Sequence, residues 1–598
     1  MEFLPDLTST IHRGNGAVMN NNLDNTSDEP EAHEEATPVD RRFFLGRVAG
    51  VGATGLVLGS GAAAQQAQLT TALPACDNDA LGPDGPHARR NKAFRVRVHA
   101  ALLEKNAGLE CQDRNDDEQL YADQRASYSK GLVHDAIGEV DPLAYQSLLD
   151  ALDSGAPATF ELIQLGNPGG TGPAPGNTPV HKMINPQAGL GFDLEGADAQ
   201  AVTVPAAPAF ASAWQAGEGI ENTWMAHLRD VPFRLYGASP LAAAAIADLN
   251  AASDFRGPKV AGLVTPQTLF RDPFPGCTVG PYLSQFFYRA QPFGTQDINP
   301  MSNTYAAGID YMTSQANWVA CQSGVNPGAS NVPGGLVWMR NGRDIGAWVH
   351  VDVLFQAYFQ AFLVMGSIGV GANPGNPYNG SATQIGFGTL GGPYFAAMVC
   401  EVATRALKAV WFQKWFVHRR LRPEVYLGRV HVHASGQKAY DMHADVLNSA
   451  AVAQSFSNNG TYLLPMGFPE GSPAHPSYGA GHATVAGACV TILKALFNTE
   501  VPVANFFTPQ EPNDAGSGLM NYAGGDAGLM TIAGELNKIA SNVATGRNIA
   551  GVHWRTDGEE SLRLGEKIAI SVLRDQKLTC NEDVSFTFTE FDGSVVTI

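Results

Sequence analysis

Pro473, Pro476, Gly479 and Gly481 punctuate the approach to His482, and an Ala/Val/Leu-rich run follows it through residues 483–497. The approach cannot continue a helix, and the run can hardly be anything else. The junction predicts a helix N-terminus at residues 479–481, where unpaired N–H groups and the helix dipole favour a bound anion. Glycine lets the backbone come close to that anion. His482 adds a titratable group in the first turn, seven positions after His475. The stretch His475-Pro-Ser-Tyr-Gly-Ala-Gly-His482 therefore reads as an oxyanion site, against the alternative of an ordinary glycine-rich helix start.

Two further segments share its chemistry. Lys414-Trp-Phe-Val-His-Arg-Arg-Leu-Arg422-Pro423 concentrates positive charge in a chain whose net charge is −19. That overall charge argues against a nucleic-acid partner and makes a local cationic cluster informative. On a single helix Lys414 and Arg422 would lie about two turns apart and within roughly 80° of each other, so both could reach one anion. In Arg547-Asn-Ile-Ala-Gly-Val-His553-Trp-Arg-Thr-Asp557 the carboxylate follows the imidazole by four residues. Within one helix turn it could hold one ring nitrogen and leave the other free.

The 44% hydrophobic content over 598 residues suits one large core, and no apolar run reaches the ~18–20 residues of a clean membrane span. Residues 92–104 and 142–152 read as helices, the second opened by Asp141-Pro142. Helical pieces return at 213–228 and 239–252, after a loop-rich belt at 166–211 and before a second one through 273–303 and 323–335. The strongest helices come last. Residues 344–365 read as one helix with Leu354, Tyr358, Ala361 and Met365 on one face. Residues 393–422 read as another, apolar at Phe395, Met398, Val402, Ala406 and Ala409 and stopped by Pro423. Residues 483–497, 530–543 and 556–575 follow. Alternation over 584–591, Asp592-Gly593 and residues 594–598 predict a C-terminal hairpin. The expectation is a mainly α fold: one large helical domain over 65–598, with the active-site half at about 340–580, long loops and a small C-terminal β-hairpin.

Together the three segments resemble the signature shared by vanadium-dependent haloperoxidases and the type 2 phosphatidic acid phosphatase superfamily. It runs Lys, then Arg-Pro, then Pro-Ser-Gly-His, then Arg-x5-His-x3-Asp, and spans only residues 414–557 here. The seven residues between Lys414 and Arg422, and His475 where fungal chloroperoxidases carry Phe, are similar to the bromoperoxidases of red algae and cyanobacteria. The resemblance implies a helical-bundle domain of the haloperoxidase type and vanadate as cofactor. It makes His553 the vanadium ligand and gives the vanadate oxygens to Lys414, Arg422, Arg547 and the Gly481 N–H. His482 would be the acid–base group acting on hydrogen peroxide, His475 would tune the halide or peroxide side, and Trp411 would line the halide approach. Asp557 would orient His553. The implied reaction oxidises bromide by hydrogen peroxide to hypobromous acid, which halogenates small organic substrates. Red-algal relatives imply a homo-oligomer, of dodecameric size among them; no calcium site is expected.

Two departures stand out. The Ser of Pro-Ser-Gly-His is Ala480, and the Ser usual before the third-segment Arg is Gly546; losing one donor should weaken anion binding by ~1–2 kcal/mol. Two other readings remain open. The same pocket could serve a phosphomonoester hydrolase, with His553 as nucleophile and His482 as leaving-group acid, or a non-catalytic anion-binding protein.

Seven cysteines without a CxxC pair give no support to a zinc or iron–sulfur site. The compartment signal lies at the start. A polar, acidic segment, residues 1–39, reads as disordered. It precedes Asp40-Arg41-Arg42-Phe43-Phe44-Leu45 and a weakly apolar stretch at 48–64, which resemble a twin-arginine export signal. The mature chain would then start near Gln65, exported to the periplasm or beyond, where Cys76 and Cys111 could pair. Replacing Arg41 and Arg42 with Lys should leave the precursor in the cytoplasm, as cell fractionation with intact-mass analysis would show. Unchanged export, or an exported chain that keeps its N-terminus, would overturn this expectation.

Overall fold

A computed structural model describes residues 83–170, 180–326 and 328–598. The start expected to be disordered, the segment expected to direct export, and Cys76 lie outside them. Among the described residues Val96–Ile598 form one compact unit, which holds all that follows except residues 86–95 of the first helix. It is mainly helical, with 46% helix and 9% strand.

The first helices are α1 (Pro86–Ala107), α2 (Pro142–Ser154), α3 (Ala213–His227), α4 (Pro240–Ala251) and α5 (Gln315–Gln322). Asp141 caps α2 by accepting from the Leu143 and Ala144 N–H groups, with Pro142 at the first helical position as expected. The second half holds α6 (Gly342–Val351), α7 (Gln356–Ser367), α8 (Gly392–Phe412), α9 (Pro423–Ala434), α10 (Ala450–Asn459), α11 (Gly481–Leu496), α12 (Ile532–Ile549) and α13 (Arg555–Thr579). No single helix among the described residues is long and apolar enough to cross a membrane.

Two of the helices expected from sequence are broken. Residues 344–365 are not one helix: α6 and α7 meet at 103°, and Asp352, at φ −64° and ψ 149°, leaves the α region between them. Leu354 falls in the break, while Tyr358, Ala361 and Met365 are buried on α7. Helix α8 stops at Phe412 instead of reaching Arg422. A π-helical turn takes over at Gln413–His418 and ends on Arg419 in the left-handed region, φ 38°. Arg420 then pairs with Ser127 as an extended bridge. The expected proline effect holds one step later, since Arg422 is extended before Pro423, φ −82° and ψ 158°. Lys414 and Arg422 thus share no helix face. At the other end α12 runs six residues past 543, which puts Arg547 in its last turn.

The connections between helices also hold short antiparallel pairs that the sequence did not announce. Strand β1 (Gln291–Phe293) pairs with β2 (Gln296–Ile298), β3 (Ser302–Tyr305) with β4 (Pro333–Val337), and β5 (Gln510–Pro512) with β6 (Leu519–Asn521). Three to five residues are too few for an alternation signal. The C-terminal hairpin is present, as β7 (Thr587–Thr589) with β8 (Val595–Thr597).

Helix α11 is the centre of the unit. Every residue from Gly481 to Leu496 is buried except His482, as an all-round apolar helix requires. Its most extensive contact is with α13, followed by α8 and α12. The α11–α13 crossing is close because each helix presents a glycine. A Cβ at Gly487 would overlap the Leu562 carbonyl, and one at Gly565 the Thr484 carbonyl. Gly565→Ala should therefore cost about 2 kcal/mol through overpacking, despite the better helix former, and lower the melting temperature in calorimetry. An unchanged melting temperature would mean that the two helices can part without loss.

Candidate active site

The segments that precede and follow these helices bring the sequence-derived residues to one place. The π-turn carries Lys414, the start of α9 carries Arg422, and the last turn of α12 carries Arg547. Residues 475–477 arrive as a loop, Ala480 is the N-cap of α11, and His553 stands two residues before α13. Lys414 and Arg422 are fully buried and Arg547 is nearly so.

The cations take uncharged hydrogen-bond partners, carbonyl groups and, for Arg422, two imidazole nitrogens. Lys414 Nζ donates to Pro476 O (2.9 Å) and Ser477 O (3.1 Å). Arg422 donates through Nε to His475 O (3.0 Å) and through Nη1 to Val552 O (2.6 Å). Arg547 donates to Val349 O (2.7 Å), and its Nε is buried with no partner. Among the described residues none of the three forms an ion pair, whereas the other buried lysines, Lys130, Lys494 and Lys538, each face a glutamate. Burial, then mutual repulsion, pushes Lys414 well below the ordinary lysine value. Burial lowers Arg422 and Arg547 to about 10 each. Buried positive charge without a counter-charge is unstable unless an anion supplies one.

Asp557 does not supply it. Its Oδ2 accepts from His553 Nδ1 (2.9 Å), from the Trp554 N–H (3.1 Å) and from Ser477 Oγ, and its Oδ1 from Arg420 Nη1 (2.9 Å). A carboxylate can only accept from the imidazole, so the His553 proton sits on Nδ1 and the Nε2 lone pair is left over. That lone pair accepts from Arg422 Nη1 (3.0 Å). Burial, then Arg422 and Lys414, hold His553 well below 6.5, hence neutral. The expected carboxylate–imidazole pair is thus present, although His553 lies just outside the helix that begins with Arg555.

His475 accepts from Arg422 Nη2 at Nδ1 (2.9 Å) and lies against Trp411, ring centroids 4.9 Å apart. Trp411 is half-buried and stands 5.5 Å from Lys414 Nζ, ring centroid to ammonium. Gly481 sits beside the same indole, where a Cβ would come within 3.0 Å of Trp411. Ala480 offers the helix no side-chain cap, so the first N–H groups of α11 stay available to an anion.

Sequence reasoning missed the partner of His482. Its Nε2 donates to Asp352 Oδ1 (3.0 Å), and the imidazole side chain is 17% exposed against 3% for the carboxylate. Asp352 reaches it because α6 breaks there; an uninterrupted helix hid that signal. With Nε2 carrying the hydrogen, Nδ1 is the atom that can take a proton. Burial lowers the His482 pKa and Asp352 pulls the other way. Ser477 and Arg420, which complete the ring around Asp557, were also not singled out. The donor set fits a tetrahedral oxyanion with one imidazole nitrogen beside it.

A family model described as the VCPO second helical-bundle domain matches residues 394–581. A vanadium-dependent bromoperoxidase of Ascophyllum nodosum is 33% identical over 538 residues, which is 87% of this chain and 94% of its own. Another from Corallina pilulifera is 34% identical over 600 residues, 86% of this chain and 99% of its own. Among solved structures, a homohexameric vanadate-dependent bromoperoxidase of Ascophyllum nodosum superposes with a TM-score of 0.81 at 30% identity, covering 93% of this chain and 95% of its own.

Removing the Asp352 charge removes the influence that raises the His482 pKa. Asp352→Asn should therefore move that pKa still lower, as an NMR titration of labelled imidazoles would show. An upward or absent shift would mean that Asp352 does not govern His482.

Proposed function

The chain belongs to the vanadium-dependent bromoperoxidase family, and from that premise we propose how its own residues serve the reaction. It is a haloperoxidase: it oxidises halide, bromide by preference, with hydrogen peroxide to hypohalous acid, which halogenates organic substrates. The observation that carries the assignment of the site is the trio of buried cations without ion pairs around a neutral His553 whose Nε2 lone pair faces Arg422 Nη1.

Vanadate, when bound, supplies a Lewis-acidic metal that activates peroxide without a change of oxidation state. His553 Nε2 would ligate it. Lys414, Arg422, Arg547 and the Gly481 N–H would hold its oxygens, and the cations would regain there the counter-charge that the protein denies them. His482, neutral in the resting site, takes a proton from peroxide at Nδ1, and Asp352 stabilises the imidazolium that results. Trp411 and His475 form the wall along which halide approaches, and Lys414 places positive charge on that side.

The same cradle would hold phosphate. The relatives, which are bromoperoxidases along most of their length, disfavour the phosphatase reading. The hexameric relative supports a homo-oligomer for this chain; the dodecamer is the larger assembly to look for by light scattering. Export through the Arg41-Arg42 signal completes the proposal.

Metal-stripped protein titrated with orthovanadate should gain peroxide-dependent bromination of a phenol dye, whereas His553→Ala should lose it by at least about a hundredfold while keeping its helical circular dichroism. Bromination by the stripped protein, or by His553→Ala at the wild-type rate, would overturn the assignment.

A further inference from the structure

The loop that carries His475 is anchored by a residue far away in the chain. Lys130 is fully buried and its Nζ donates to Glu470 O (2.8 Å) and Ser472 O (2.6 Å), while pairing with Glu424 Oε1 (2.8 Å). The other oxygen of Glu424 accepts the Ser472 N–H (2.9 Å). Cation and carboxylate thus grip the same two-residue step from both sides, and the Cys321 thiol adds a contact to Glu470 O at 2.9 Å. Gly471 lies in that grip at φ 66°, where a Cβ would overlap Glu424 Oε2.

Glu424 is two residues after Arg422, in the first turn of α9. One helix start therefore holds the loop at both ends, through Glu424 at residue 472 and through Arg422 at His475 O. The next carbonyls along, Pro476 O and Ser477 O, are the ones that seat Lys414. The 128–131 segment is itself fixed to the π-turn side, since the Tyr128 N–H donates to Arg419 O (2.7 Å) and the Tyr128 ring packs edge-on against Trp415.

We propose that Lys130 and Glu424 are positioning residues for the anion site, setting the depth of the 470–477 loop and hence the places of His475 and the Lys414 ammonium. The proposal rests on the haloperoxidase reading above. Lys130 cannot be a fourth oxyanion ligand: its charge is matched by Glu424, and its donors are taken by the loop and that carboxylate. Its effect on the site is geometric, and displacements of about 1 Å in such supporting groups cost up to a hundredfold in rate.

The test compares full-length wild type, Lys130→Met, Glu424→Gln and the double variant, which strands no charge. Orthovanadate binding to each stripped protein is read by equilibrium dialysis, together with bromide KM, kcat and melting temperature. All variants should bind vanadate about ten- to hundredfold more weakly and show a raised bromide KM. The double variant should recover melting temperature relative to Lys130→Met without recovering vanadate affinity. Wild-type vanadate affinity and KM in the double variant, with only the melting temperature lowered, would make the pair purely structural and overturn the proposal. So would failure of even Glu424→Gln to yield soluble protein. Absence of vanadate-dependent bromination in the wild-type control would instead sink the haloperoxidase reading, leaving the dialysis data to judge the grip on an oxyanion.

Discussion

Three positive charges meet in a buried volume where, among the described residues, none of them forms an ion pair, and the surrounding architecture follows from that constraint. An unpaired buried ion costs several kcal/mol, so each cation must find strong acceptors that are not charged. Helix ends supply them. Val349 O belongs to the last turn of α6 and Val552 O lies just past the end of α12, where carbonyls have no intrahelical donor. These ends also carry the negative pole of the helix dipole. The loop at 475–477 turns the remaining carbonyls inward onto Lys414 and Arg422. Helix α11 points the opposite way, its N-terminus toward the anion. Dipoles of both signs are thus arranged so that the protein tolerates the cations yet leaves their charge for a ligand.

The one carboxylate at the centre is kept from spoiling this. Asp557 is the third residue of α13, and its reach back to the Trp554 N–H is the second half of a capping box. With Arg420, Ser477 and His553 also on it, both of its oxygens are engaged. Arg420 in turn is shared with Glu218 at 2.7 Å. The helix start that makes α13 stable is therefore the same feature that fixes the His553 tautomer and keeps negative charge off Lys414. Stability and chemistry share a residue here, which is why the spacing of four between His553 and Asp557 cannot drift.

Much of this was legible because chemistry-bearing residues sit where helix signals are strongest. Pro423 marks the end that frees Arg422, and Gly479 and Gly481 mark the start that presents His482. The hidden parts are places where local sequence agrees with a helix that tertiary structure refuses. Residues 350–356 contain no glycine or proline, yet the chain turns by 103° there and delivers Asp352 to His482. Residues 413–418 likewise look helical and are, but with a wider turn that ends in a left-handed Arg419. Nothing in a 3.6-residue period distinguishes that from α-helix. Lys130 was invisible for a different reason: its partners are hundreds of residues away, and an isolated lysine carries no periodicity.

The two departures from the family signature have different physical standing. At Gly546 a Cβ would come within 3.0 Å of Ile345 and 3.2 Å of Val349. A serine there would start from an apolar wall, not from the anion, so glycine relieves crowding between α12 and α6. At Ala480 the backbone is already committed: its N–H donates to Ser561 Oγ (2.8 Å) and its carbonyl accepts from the Thr484 N–H and hydroxyl, 2.9 Å each. Its methyl group belongs to the large apolar cluster. A hydroxyl at that N-cap position would have a choice between capping the third N–H of α11 and reaching the anion. Alanine makes neither bond, so the first-turn amides keep all of their capacity for the ligand. The donor lost from the side chain would thereby be offset by backbone groups that no cap competes for, and in the proposed site the hold on the anion would pass to three cations and a helix end.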